Sequence, residues 1–388
     1  MLRSSEAVAS APAEVRSVPL FDLKRQQSRL RTDIDQRIAK VLDHGQFILG
    51  PEVEALERDL AAFAGARHCI AVSSGRDALI MALMALGAGP GDAVFVPAFT
   101  FSATAGVVAS VGASPVFVDV EEATFNMKPE ALDAVVSQVV ADGVLRPLAV
   151  MPVDLYGRPA DYPAIAEIAA RHNIQVVADA AQSFGGSLGD KSVGALAPIS
   201  CTSFYPTKPL GAFGDGGAVF TEDDQLAEAV SQIRTHGRQG DGDEALRLGM
   251  TGRLDTIQAA VLQAKLSVFA GELERRQEVA ARYNAALAGK VATPLDEQGV
   301  GSAWALYTIR VPNRDALRAT LQADGVSTAL FYRIPLNRHP AFAKYLTGRE
   351  DLPVSERLSA EVLSLPMGPD ITDDEVDYVI DRLLAAIA

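Results

Sequence analysis

Between His68 and Thr221 the chain alternates short apolar runs with segments of helical period, and this alternation limits the fold more than any other feature. The runs are His68–Ser73, Ala93–Pro97, Pro115–Val120, Leu148–Val153, Ile174–Asp179, Ile199–Phe204 and Gly217–Thr221. Each is too short for a helix and apolar enough for a strand buried on both faces. The segments Asp77–Leu86, Ser102–Val111, Tyr162–Arg171 and Gln225–His236 read as helices between them. The pattern predicts an α/β fold, with a mostly parallel seven-stranded sheet covered by helices on both faces.

A long helical stretch follows, from about Leu254 to Ala288, with an apolar stripe through Ile257, Ala260, Val261, Ala264 and Leu266. From Lys290 onward the pattern reads as a separate, smaller α+β unit. Its expected strands lie near Trp304–Val311 and Val326–Tyr332, and its last helix at Asp373–Ala386. The expected organisation is a flexible N-terminal arm at residues 1–18, a large domain over 19–265 and a small C-terminal domain over 266–388.

Length and charge narrow the function. A chain of 388 residues holds a large core and a second one. Its net charge of −14 argues against nucleic acid as a bulk partner. No apolar run approaches the roughly 20 residues of a membrane span. The two cysteines, Cys69 and Cys201, fit a reduced cytoplasmic protein. The five histidines show no metal-site spacing, so no structural metal is expected.

One lysine stands out among the eight in the sequence. Lys208 ends the segment Ser203-Phe204-Tyr205-Pro206-Thr207-Lys208, just before the glycine-rich run from Gly211 to Gly217. Upstream, the run Ile174–Ala178 ends in Asp179, at the strand edge where open parallel sheets bind ligands. A lysine amine together with an acid on a buried strand is what pyridoxal phosphate (PLP) chemistry requires. The amine forms a Schiff base and the acid keeps the pyridine nitrogen protonated. Alone, Asp179 could equally cap the helix that follows it.

Other residues extend the same reading. Gln182 lies three residues beyond Asp179 and could reach the cofactor's phenolic oxygen. Ser73-Ser74-Gly75-Arg76-Asp77 follows a strand and opens a helix, which makes an anion site suited to the cofactor phosphate. Gly75 permits close backbone approach there, and the Ser203 hydroxyl could serve the same phosphate. Phe101 follows another strand at the same edge and could stack on the pyridine ring, or simply pack in the core.

Taken in order, these segments resemble the DegT/DnrJ/EryC1/StrS sugar aminotransferase family, which has the PLP fold type I, the aspartate aminotransferase-like architecture. The resemblance runs through Phe21-Asp22-Leu23-Lys24, the stretch from His44 to Pro51, the Ser73–Leu79 turn, Pro97–Thr104, Leu155-Tyr156-Gly157, Asp179-Ala180-Ala181-Gln182, Ser203–Lys208 and Arg253-Leu254-Asp255. It implies transfer of an amino group from L-glutamate to a keto carbon of a nucleotide-linked sugar. Within the family the pattern is most similar to aminotransferases acting on UDP-2-acetamido-2-deoxy-3-oxo-glucuronate. It also implies a homodimer with shared active sites.

By position, the resemblance assigns Lys208 to the Schiff base and to proton transfer, Asp179 to the pyridine nitrogen and Gln182 to the phenolic oxygen. Ser74, Gly75 and Ser203 would hold the phosphate and Phe101 would cover the ring. Arg253 would enter the partner's site, and Tyr156 and Tyr332 would face substrate. A family branch with histidine in place of the lysine performs dehydration instead, and this chain is not of that branch.

Three departures bear on the substrate. Arg76 replaces the threonine usual after the glycine of the phosphate turn, where its charged fork could hold the cofactor phosphate instead or simply point to solvent. Thr251 stands where the partner subunit normally supplies asparagine to the phosphate. Phe331 replaces a histidine of the expected substrate wall, and Arg333 adds a cation nearby. These departures keep one other reading open, a PLP enzyme acting on a non-nucleotide carbonyl or amino-acid substrate; a non-enzymatic regulator is a second alternative, which the acidic charge and the lack of a DNA-reading helix oppose.

Overall fold

The computed structural model describes residues 16–240, 242–348 and 350–387. Most of the expected arm therefore lies outside the described residues. Its last residue, Val18, is fully buried and bridges Val326.

Two helices lead into the sheet. α1 (Leu23–His44) starts where Asp22 accepts the Lys24 and Arg25 N–H groups, and Gly45 ends it in a left-handed turn. α2 (Pro51–Ala64) begins with proline at its first position, where the missing N–H costs nothing.

All seven expected strands form one sheet. They are β1 (His68–Val72), β2 (Asp92–Pro97), β3 (Ser114–Val118), β4 (Arg146–Val150), β5 (Gln175–Asp179), β6 (Ile199–Ser203) and β7 (Gly217–Thr221). The order across the sheet is β1-β7-β6-β5-β4-β2-β3. β7 runs antiparallel to both neighbours and the other pairings are parallel.

Helices cover both faces. α3 (Gly75–Ala85), α4 (Ser102–Ser110) and α7 (Asp224–Arg234) lie on one, and α5 (Pro129–Asp142) and α6 (Tyr162–His172) on the other. β2 shows why the strand reads as apolar throughout. Val94 and Val96 belong to the core shared with α3, α4 and α7, while Ala93 and Phe95 belong to the core shared with α5 and α6.

α8 (Thr256–Leu287) runs unbroken through residue 265. Its first half packs Ala259, Leu262 and Phe269 under the sheet, and its second half packs Val279, Tyr283 and Leu287 into the C-terminal core. That core is built on α9 (Arg314–Ala323), α11 (Asp373–Ile387) and the antiparallel pair β8 (Tyr307–Arg310) and β9 (Val362–Leu365), which α10 (Pro353–Glu361) precedes.

Two expectations for this unit need correction. The strand near Trp304–Val311 shrinks to β8, because Trp304 takes a positive φ of 45° that ends extended geometry. The segment Val326–Tyr332 is not a strand. It meets a different partner at each of two points, Val326 bridging Val18 and Ala329 bridging Ser364, and it ends in a turn at Phe331 and Tyr332. No continuous ladder forms, and the strand that pairs with β8 is Val362–Leu365 instead.

Candidate active site

Four strand ends converge at the C-terminal edge of the sheet: β1 at Ser73, β2 before Phe101, β5 at Asp179 and β6 at Ser203. Asp179 is buried. Its Oδ2 accepts from Thr104 Oγ1 at 2.9 Å and its Oδ1 from the Ala181 N–H at 3.3 Å. Burial pushes its carboxyl up, while the Thr104 hydrogen bond and the Lys208 charge pull it back. Desolvation lowers the Lys208 amine, opposed by the charge of Asp179. Each group thus feels the charge of the other, while burial favours the uncharged form of each.

The loop that carries Lys208 is tight. The Lys208 N–H donates to the Tyr205 carbonyl at 2.8 Å, and Ala212 N–H returns to Phe204 O at 2.7 Å. A Cβ on Gly211 would lie 2.5 Å from the Pro206 carbonyl oxygen, so only glycine fits.

The turn after β1 forms a cup. Ser74 caps α3, accepting the Asp77 N–H at 3.0 Å. As the first two residues of the helix, Gly75 and Arg76 have N–H groups with no intrahelical acceptor. A Cβ on Gly75 would sit 2.5 Å from Ser203 Cβ, and one on Gly217 would sit 2.6 Å from the Gly75 nitrogen. The turn after β1, the end of β6 and the start of β7 thus touch. The Arg76 guanidinium donates to Ser110 Oγ at 2.8 Å, at the end of α4, so Arg76 brings its backbone N–H to the cup rather than its charge.

Gln182 is buried and oriented. Its Oε1 accepts the Tyr156 N–H at 2.8 Å, and its Nε2 donates to the Tyr332 hydroxyl at 3.2 Å. The Tyr156 hydroxyl donates to the Phe331 carbonyl and its ring packs against Phe125, so what Tyr156 offers the site is its backbone. Phe101 is exposed, with its ring 6.0 Å from Tyr332. The segment after Tyr332 is pinned to the sheet edge, where the Leu336 N–H donates to Ala98 O at 2.8 Å, and Arg333 is left exposed.

Arg253 lies beside the same turn. Its backbone bridges Val72, its neighbour Gly252 accepts the Ser73 N–H at 3.0 Å, and its buried Nε has no partner among the described residues. Thr251 is exposed, with Oγ1 3.4 Å from His236 Nε2.

These residues fit one kind of ligand. Asp179, buried and without a bonded cation among the described residues, calls for a positive centre, a desolvated amine calls for a carbonyl, and the cup at Gly75 and Ser203 calls for a phosphate. PLP carries all three.

A model of the DegT/DnrJ/EryC1/StrS aminotransferase family matches residues 28–384. The chain belongs to this family. It is 47% identical to UDP-2-acetamido-2-deoxy-3-oxo-D-glucuronate aminotransferase of Pseudomonas aeruginosa, over 94% of this chain and 99% of that protein. A crystal structure of a DegT/DnrJ/EryC1/StrS aminotransferase from Brucella abortus superposes with a TM-score of 0.93 at 45% identity, covering 94% of this chain and 98% of that one. NtdA from Bacillus subtilis, solved with the bound cofactor PMP, superposes with a TM-score of 0.88 at 30% identity, covering 96% and 86%. As a member of this aminotransferase family the chain is a PLP-dependent transaminase with fold type I.

Two residues at the site were not singled out from the sequence. Thr104, three residues beyond Phe101 on the first turn of α4, could have been suspected from that spacing. Asp154 lies beside Asp179 through the sheet, and nothing in the linear sequence points to it.

Proposed function

We propose that this chain transfers the amino group of L-glutamate to a keto carbon of a nucleotide-linked sugar, with PLP as cofactor. The observation that carries the reading is the Lys208–Asp179 pair: a lowered amine and a buried acid that act on each other's charge, with a helix N-terminus at Gly75 on the same sheet edge. When bound, the cofactor supplies a carbonyl that takes up nitrogen and an electron-poor ring that stabilises negative charge at the substrate carbon.

The chain's residues do the rest. Asp179 holds the positive ring nitrogen and Gln182 donates its NH2 to the ring oxygen. The Gly75 and Arg76 N–H groups, with Ser74 and Ser203, receive the phosphate, and Phe101 covers a ring face. The Lys208 Nζ takes the proton from the substrate carbon and returns it on the other side of the transfer. Burial lowers this amine, which favours the neutral form that can accept a proton. Tyr332, Phe331 and Arg333 form the substrate wall with the Tyr156 backbone, and Arg333 offers a cation to a sugar carboxylate or nucleotide phosphate.

We infer a homodimer in which Thr251 and Arg253 of one copy reach the other copy's site. The unpartnered Arg253 Nε and the exposed Phe47, Ile48, Tyr205 and Phe213 support this. The buried free thiols of Cys69 and Cys201 support a reducing, cytoplasmic setting.

The test is transfer from 15N-labelled L-glutamate to a panel of carbonyl compounds, read by mass spectrometry. Label should appear in a nucleotide-linked keto sugar. Label only in a non-nucleotide carbonyl, which the apolar Phe331 makes worth including, would overturn the sugar assignment.

A further inference from the structure

Behind Asp179 lies a second buried carboxyl that the proposed chemistry leaves unused. Asp154 stands just past β4 and has no solvent exposure. Its carboxylate collects three donors: Ser183 Oγ at 2.7 Å, the Ala160 N–H at 2.8 Å and the Tyr162 hydroxyl at 2.9 Å. Among the described residues no lysine or arginine pairs with it.

Its contacts run to the cofactor-facing turn. The Asp154 N–H donates to the Asp179 carbonyl at 3.1 Å. Ser183, bonded to its side chain, lies one residue beyond Gln182. Two residues after Asp154, the Tyr156 N–H holds Gln182 Oε1 at 2.8 Å and so aims the Gln182 NH2. The 154–156 segment and the 179–183 turn are thereby joined at three points, each bearing on Asp179 or Gln182.

Ties of this kind do not need a charge. A neutral amide or hydroxyl would join the same segments without burying a carboxylate that lacks a cation. The charge becomes favourable once a positive centre arrives nearby, and Asp179 is placed to receive one. The titratable groups that face Asp154 are Tyr162 and Asp179, with Cys201 and Lys208 beyond. Burial pushes the Tyr162 phenol and the Cys201 thiol up, so both stay neutral. Burial also raises Asp154, to about 7, with Asp179 adding to the rise. A positive ring nitrogen at Asp179 acts in the opposite direction on both carboxyls.

We propose that Asp154 is a positioning residue for the amino transfer, which fixes the Asp179–Gln182 turn and, ionised when the cofactor is bound, places a second negative charge behind the ring nitrogen to keep it protonated. The inference rests on the PLP reading above.

The experiment uses the holoenzyme and the pH dependence of its visible cofactor band. Asp154→Asn keeps the shape and can still accept the Ala160 N–H, but it removes the charge. Its apparent pKa for the band should fall by roughly half a unit to one unit, because the loss of a nearby negative charge disfavours bound protons. kcat should fall with little change in KM for L-glutamate. Should that variant not fold, Ser183→Ala with Tyr162→Phe leaves the carboxyl a single donor, so it takes up a proton and should reproduce the shift. A band titrating at the wild-type pKa in the folded variant, with only the melting temperature lowered, overturns the inference. A wild-type protein with no visible band at any pH would instead overturn the PLP reading.

Discussion

At the scale of residues, the account rests on two groups that are each costly to bury. Lys208 and Asp179 are both driven toward neutrality by burial, and neither forms a close ion pair among the described residues. Lys208→Ala should reduce amino transfer by roughly 10³-fold, since it removes both the covalent attachment and the proton carrier. Asp179→Asn, of equal size, should weaken retention of the cofactor and lower turnover by about 10²-fold, as dialysis followed by absorbance and rate measurement would show. Wild-type turnover in either variant would contradict the assignment. Both residues were legible in the sequence, Asp179 because it closes an apolar run at the ligand-binding edge and Lys208 because it stands between the end of another such run and a glycine-rich stretch. The directions of Arg76 and Tyr156 were not. Each depends on what lies across a gap, Ser110 for one and the Phe331 carbonyl for the other, and no local pattern encodes that.

At the scale of elements, the seven strands were readable because burial on both faces leaves a continuous apolar run with turn residues at each end. The stretch Val326–Tyr332 has a similar look but lacks a neighbour along its length, and a strand is defined by its partner as much as by its own residues. The start of α3 gives a direct check. Gly75→Ala would press a methyl into Ser203 at 2.5 Å, so it should destabilise the protein by about 1–3 kcal/mol and loosen the cofactor. α10 offers another. It has no side-chain cap of its own, and Asp119 at the end of β3 supplies one from across the fold. Asp119 accepts the Val354 N–H at 3.0 Å, the Ser355 N–H at 2.8 Å and the Ser355 hydroxyl at 2.6 Å. Asp119→Ala should cost about 2 kcal/mol in denaturant unfolding, toward the upper end for a lost cap because these donors are partly buried. An unchanged midpoint would show that the contact does not hold α10.

At the scale of the whole molecule, α1 ties the two ends of the chain together. Arg25 makes paired 2.7 Å hydrogen bonds to Glu375 at the start of α11, and Gln26 and Arg29 meet Glu272 on α8. Arg25 holds the Glu375 carboxyl down at about 2, against an ordinary value of 4.5. A lowered carboxyl stabilises the fold at pH values above 4.5, and that contribution is lost as pH falls through about 2. The stability gap between wild type and Glu375→Gln should therefore be constant above about pH 5 and narrow between 4.5 and 2, as urea unfolding across that range would reveal. A gap that does not change with pH would remove Arg25 as its cause. These long-range ties were invisible in the sequence, where hundreds of residues separate the partners. All of this packing serves to hold one lysine over one acid. The most direct measurement is borohydride reduction of the purified holoenzyme, followed by digestion and peptide mass spectrometry. A pyridoxyl group fixed on the peptide containing Lys208 is the predicted result, and its absence there, or its presence on another lysine, would contradict the account.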